Sequence, residues 1–357
     1  MGPVERAPTF AARLIGASRA GLAARAARRL GENHAESGRR FGASSFEVWR
    51  QEIERLLVGL EAAVAHETIE SWVDEVRWLR ASYESRDVEP ENLVRVLSAL
   101  AEVLEEDLPS AAWSAAEGPL SRGLEVAREP TVRTDSFLDA ETREGRLAAE
   151  YLVAALEGDR RAAIGKILEA VDGGLSVATA YVDVLLVAQA EVGRLWHANE
   201  LSIAEEHAVT ATTELAMSQL YTRIPLPDEI VGTVVSGAIA GDLHDIGVRV
   251  TSDFLEMAGF RVVFIGADVP SEEFARAAVD FEADIVMIGA TRPANLDRVR
   301  RAVAHVHHIQ DRRVPVIVGG RAFAADPEAW KPTGADGFAA DAQSAAREAL
   351  RLTASVA

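Results

Sequence analysis

The chain has 357 residues, no cysteine and a formal charge of −19. The length admits two or three domains. The charge argues against a general phosphate-binding surface and so against nucleic acid, while the missing thiols exclude disulfides, thiolate metal sites and a thioether-linked chromophore. No apolar run reaches membrane-spanning length and the N-terminus lacks the apolar core of a signal peptide. A globular, cytoplasmic protein with no membrane partner is therefore expected.

From Met1 to Arg40 the chain is rich in Ala, Arg and Gly, with Phe10, Leu14 and Leu22 as sparse apolar points. This predicts an amphipathic helix whose arginines form a solvated face, and no helix-turn-helix pattern is present. Ser44-Ser45-Phe46-Glu47 reads as a helix start, with Ser44 capping and Glu47 answering three residues on. Helical periodicity then carries Ile53, Leu56, Leu57 and Leu60. A further helix carries Trp72, Val76, Leu79 and Tyr83, another runs from about Glu91 to Leu104, and one more passes through Trp113 to Val126. The 3.6-residue period makes this an all-α domain. Its aromatic stripe of Trp72, Trp78, Tyr83 and Trp113 reads as core rather than as a ligand pocket. Glu129 to Thr142, with Pro130, Thr131, Thr134 and Ser136, reads as a linker.

Four helices follow over about Arg143 to Arg223, with stops at Gly158 and Gly173-Gly174 and starts at Ser176 and Ser202. Glu205 lies three residues after Ser202, a capping box. Short loops between four helices imply an antiparallel bundle. Trp196 and His197 fall in the last turn of its third helix, Glu206 and His207 in the first turns of its fourth. Both pairs therefore lie at one end of the bundle, where a helix-dipole role for the His and the Glu is the plain reading.

The remainder alternates short, nearly all-apolar strands with amphipathic helices, as a parallel sheet covered on both faces requires. Strands are expected near Ile230–Ser236, Arg261–Ile265, Ile285–Ile288, Val314–Val318 and Gly337–Ala339. Helices are expected near 248–257, 271–281, 295–309, 322–330 and 341–353. The fold class is α and α/β: an N-terminal all-α domain over 1–130, a four-helix bundle cap over 143–224, and a flavodoxin-like, Rossmann-type domain over 228–357. His305, His307 and His308 share one crossover helix but not one face, so a surface helix is expected there and not a metal site.

The loop after the first strand reads Gly241-Asp242-Leu243-His244-Asp245-Ile246-Gly247. Loops at strand C-terminal ends face the ligand crevice of an open α/β sheet. A His there can give one ring nitrogen to a metal while a carboxylate holds the other ring N–H. Asp242 is placed for that, and Asp245 and Asp268 are further crevice residues with no role assigned.

This Asp-x-His-x-x-Gly loop resembles the mark of the cobalamin-binding domain family, seen in methionine synthase, the corrinoid mutases and the cobalamin light sensors. The resemblance implies a cobalt-containing cobalamin with His244 as lower cobalt ligand, Asp242 behind it and Gly247 closing the motif. Gly319-Gly320 after the fourth strand matches a second mark, where bare backbone admits the nucleotide tail. A third mark, Ser-x-Leu, is replaced by Gly289 and Thr291, and Thr291 can still donate a hydroxyl. Trp196, nine residues, then Glu206-His207 resembles the cap of the adenosylcobalamin light sensors, in which Trp, Glu and His enclose the adenosyl group. The neighbouring His197 would then take the upper cobalt position after light.

The function the resemblance implies is a light sensor with adenosylcobalamin as chromophore, a homo-oligomer signalling to an unknown protein partner. A linear tetrapyrrole such as biliverdin could join it only non-covalently. The alternatives are a corrinoid methyl carrier or activator of a methyltransferase system, a mutase subunit, and a passive cobalamin-binding regulator. No catalytic residue is assigned.

Overall fold

The computed structural model describes residues 6–33, 45–66, 69–131, 134–309, 313–324, 326 and 328–356. Two compact units result. The first comprises Met1–Val132 with Arg292–Asp297 and Arg321–Thr333; the second comprises Arg133–Thr291, Arg298–Gly320 and Gly334–Ala357.

The first unit holds helices α1 (Ala7–Asn33), α2 (Ser45–His66), α3 (Ile69–Ser85), α4 (Glu91–Asp107) and α5 (Ser110–Arg128). Each buries the stripe its periodicity predicts. Ile53, Leu56, Leu57 and Leu60 of α2 meet Leu93, Val96, Leu97 and Leu100 of α4 in one core, the burial that stabilises amphipathic helices. Trp72 is fully buried, whereas Trp78 is 43% exposed, so the aromatic stripe is only partly core. Ser44, read as the cap of α2, lies outside the described residues. Glu75 packs its carboxylate against Gly59, where a Cβ would collide with it. Burial pushes that carboxyl up to about 7.

In the second unit the bundle consists of α6 (Arg143–Leu156), α7 (Arg160–Asp172), a long α8 and α9 (Ile203–Leu220). Helix α8 runs without a break through Val177–Thr179, a π-helical stretch over Ala180–Leu185, and Leu186–His197. The predicted starts are present. Ser176 accepts from the Thr179 N–H, and Ser202 with Glu205 forms both halves of the capping box. The linker is pinned at Phe137, whose N–H donates to the buried Glu191 at 2.8 Å.

Five parallel strands follow: β1 (Gly232–Ala238), β2 (Phe260–Phe264), β3 (Ile285–Gly289), β4 (Val316–Gly319) and β5 (Gly337–Ala339). Their order is β2-β1-β3-β4-β5, the flavodoxin-like order, with a topological switch point between β1 and β3. Helices α10 (Ile246–Met257), α11 (Ser271–Asp280) and α12 (Leu296–His307) form the first three crossovers, and α13 (Ala342–Val356) follows β5. The helix expected over 322–330 is absent, and a single 3-10 turn, Arg321–Phe323, stands at its start. Asp326 precedes Pro327, and a residue before proline is driven out of the α region. The bundle packs on this domain through Val250 and Phe254 of α10, which join the bundle core. Among the described residues no helix is long and apolar enough to cross a membrane.

Candidate functional site

The switch point between β1 and β3 carries the His loop. The chain leaves β1, turns at Gly241 with φ +81°, and enters α10 at Asp245. Asp268 fastens the turn by accepting the Gly241 N–H at 2.6 Å, which gives that crevice residue a structural role. Asp242 is 1% exposed, while the His244 side chain is 73% exposed. The ring Nδ1 lies 3.1 Å from Asp242 Oδ1. Facing a carboxylate, Nδ1 is the nitrogen that donates.

Asp242 is more heavily held than its spacing to His244 implies. It also accepts the backbone N–H of His244 at 3.2 Å, and the N–H and hydroxyl of Thr291, the latter at 2.7 Å. Burial opposes ionisation of Asp242, but the hydrogen bonds from His244 and Thr291 outweigh it and hold the carboxyl below its ordinary value. Thr291, which follows β3, thus serves the His–Asp pair across 49 residues of sequence.

The glycines of the motifs fall into two kinds. A Cβ on Gly247 would meet nothing within 4 Å, so that position opens onto free space. Gly320, with φ +104°, approaches Ala290 so closely that a Cβ would lie 2.3 Å from its carbonyl oxygen, and Gly319 is similarly tight against Ala339. Gly289, which replaces the Ser of the family pattern, has a reason of its own. A Cβ there would sit 2.2 Å from Val248 Cγ2, so Val248 on α10 excludes any side chain at position 289.

At the bundle end, Trp196 and His197 close α8 and are part-buried, and Glu206 and His207 begin α9. Glu206 accepts from the Thr210 hydroxyl at 2.9 Å and is hydrogen-bonded to His207 Nδ1. The His207 side chain is 73% exposed. Thr210 reaches Gln189, Gln189 donates to Thr213 at 2.7 Å, and Thr213 bonds the buried Tyr151 hydroxyl at 2.7 Å. A polar chain therefore runs from the bundle core to His207. Sequence reading missed it, although the four-residue spacing of Glu206 and Thr210 was a signal.

His307 pairs with Asp336 at 2.8 Å and His308 bonds the Ala304 carbonyl. Among the described residues no cluster of three metal-type side chains occurs.

Comparison with known proteins bears on this geometry. The B12 binding domain family matches residues 232–350, and a second B12 binding domain description matches residues 147–221. Dimethylamine corrinoid protein 3 of Methanosarcina acetivorans is 33% identical over 186 residues, which are 52% of this chain and 82% of that protein. Dimethylamine corrinoid protein 1 of Methanosarcina mazei is 32% identical over 188 residues, 52% of this chain and 81% of the relative. The structure of the Methanosarcina barkeri monomethylamine corrinoid protein shares the fold at a TM-score of 0.51 and 21% identity, over 58% of this chain and 98% of that one. These relatives are named for methylamine corrinoid proteins and not for photoreceptors, which overturns the light-sensor expectation. The spacing of Trp196, Glu206 and His207 that suggested it is also the spacing of an ordinary capped helix hairpin. This chain belongs to the B12-binding domain family.

Proposed function

We propose that this chain is a corrinoid protein that carries methyl groups in a methyltransferase system. The observation that carries the reading is the His244 imidazole, exposed at the switch point with Nδ1 held by a buried, ionised Asp242. It is supported by the likeness to the dimethylamine corrinoid proteins, of which the chain covers about four fifths. The residues present fit a corrinoid, for an exposed imidazole held at Nδ1 stands beside a glycine that leaves space and a Gly-Gly that admits close approach to backbone. When bound, the corrinoid supplies a cobalt centre that accepts and gives up a methyl group.

The chain's own residues do the rest. His244 would hold the cobalt through its imidazole, and Asp242 would orient the ring and raise its basicity, a contribution typically worth about 10- to 100-fold in metal affinity. Gly247, Gly319 and Gly320 leave room for the nucleotide tail, and Thr291 fixes Asp242. In this reading residues 228–357 hold the corrinoid and residues 143–224 form the cap, with Trp196, His197, Glu206 and His207 at its end. Residues 1–130 lie outside both. The partner is a methyltransferase that presents the donor or takes the product. The adenosyl group and the bilin belong to the light-sensor reading and have no place in this one.

The test loads the full chain with hydroxocobalamin and follows the Co(II) form by electron paramagnetic resonance. Nitrogen coupling that changes when histidine is labelled with nitrogen-15 is expected, and that isotope effect should be absent in His244→Ala. The loaded protein is then reduced and given methyl iodide, followed by a thiol acceptor. Near-stoichiometric methyl uptake and release supports the carrier, and a bound corrinoid that cannot be methylated and demethylated overturns it.

A further inference from the structure

A second site lies away from the His loop, at the junction of the bundle with α10. Arg249, Asp253 and Glu256 follow one another at intervals of four and three along α10, so they share one helix face. With Met217 and Tyr221 at the end of the bundle and Phe264 of β2, they line a cavity of about 310 Å³, near the lower end for small-molecule sites.

The polar groups in this cavity are built in and only partly satisfied. Asp253 is 7% exposed, and the Tyr181 hydroxyl near it donates to the Met217 carbonyl at 3.4 Å. Glu256 accepts from Tyr221 at 3.3 Å through Oε1, while its Oε2 is buried and takes no hydrogen bond. The Arg249 guanidinium gives one amino group to Asp245 at 3.3 Å and lies 5.0 Å over the Phe264 ring. Its Nε is buried and donates to nothing. A buried donor and a buried acceptor left unpaired each cost about 1–3 kcal/mol.

The charges do not balance either. Two carboxylates face the cavity, and the one guanidinium beside them is already shared with Asp245. Burial pushes both carboxyls upward, as expected where anions lack a countercharge. Two carboxylates against Met217 and Phe264 do not make a metal site, which needs more oxygen ligands.

We propose that this cavity binds a compact organic ammonium ion that also carries an oxygen acceptor, an amino alcohol being the simplest case. The ammonium group meets the carboxylates of Glu256 and Asp253, and the oxygen accepts from the Arg249 guanidinium. Such a ligand touches both the bundle and α10, and so ties them together. None of these groups takes part in the carrier reading, so the inference stands or falls apart from it.

The test is calorimetric titration of the full chain with ethanolammonium, with ethylammonium and ethylene glycol as probes lacking the oxygen or the charge. Saturable, millimolar or tighter binding of ethanolammonium is expected. Ethylammonium should bind about tenfold more weakly, the value of one hydrogen bond to a charged donor, and ethylene glycol not at all. Glu256→Gln should weaken ethanolammonium about tenfold or more by the same arithmetic. Tyr221→Phe, at a half-exposed residue, provides a second variant that keeps the fold and should weaken binding by releasing Glu256. Absence of saturable binding overturns the proposal, as does equal affinity for ethylammonium, or undiminished binding in a folded Glu256→Gln or Tyr221→Phe protein.

Discussion

At the scale of single residues, the His loop shows how much a local motif can specify. Asp242 and His244 are two residues apart, so their hydrogen bond could be read from spacing alone. The rest of the arrangement could not be read, because it is assembled from β3 and α10. Thr291 stands where the family pattern has Leu, and only the fold shows its hydroxyl on Asp242. Thr291→Val should remove one of the bonds that hold Asp242 ionised, while Thr291→Ser should keep it. Corrinoid retention in gel filtration is expected to fall about 10-fold for the Val variant, the low end for a residue behind a metal ligand, and to stay near wild type for Ser. Gly289 and Val248 form the other linked pair. Gly289→Ser places a Cβ 2.2 Å from Val248 Cγ2, so it should destabilise the second unit by about 1–3 kcal/mol through overpacking. Adding Val248→Ala should recover much of that loss, because residues in contact are not additive. Equal melting temperatures for wild type and Gly289→Ser would contradict the packing account.

At the scale of elements, the helices were legible wherever the apolar period and a cap agreed. Ser202 with Glu205 announced α9, and the structure forms both bonds of the box. Ser202→Ala should therefore lower the stability of the bundle by about 1 kcal/mol, read as a lower melting temperature by circular dichroism. The strands were legible too, because apolar runs of four or five residues bounded by Gly and Pro have few other uses. Two features escaped. The helix expected over 322–330 follows the apolar spacing of Ala322, Phe323 and Ala329, but the Asp326-Pro327 pair outweighs it. The π-helical stretch over Ala180–Leu185 leaves no local mark, since its sequence is that of an ordinary apolar helix. It falls beside Tyr181, whose hydroxyl reaches across to the Met217 carbonyl at 3.4 Å. The cavity at the junction escaped as well: its residues come from the end of α9, from α10 and from β2, and only the fold brings the three groups together.

At the scale of the molecule, buried carboxyls of opposite character set the pH profile of stability. Asp242 and Asp336 lie below their ordinary range. Burial opposes ionisation in both, but donors outweigh it: His244 and Thr291 on Asp242, and the Val316 N–H, Arg313 and His307 on Asp336. A depressed carboxyl contributes stability that is present above its unfolded value, near 4, and is lost as pH falls through its folded value. Asp253 is the reverse. Burial lifts it from 3.8 to about 6, so between those values the folded chain holds a proton that the unfolded chain has released, and stability falls as pH rises through about 6. The shift of about two units corresponds to about 3 kcal/mol. Glu75, lifted to about 7 in the first unit, acts in the same direction. The chain should therefore be most stable near about pH 4, and its melting temperature should decline between about pH 4 and 7. Asp253→Asn keeps the size of the side chain but cannot ionise. It should flatten that decline in the second unit and raise its melting temperature more at pH 8 than at pH 5. Adding Glu75→Gln should flatten the first unit's decline in turn. Scanning calorimetry at pH 5 and pH 8 measures both effects, and an Asp253→Asn protein with an unaltered difference between the two pH values would show that this buried carboxyl does not govern the profile.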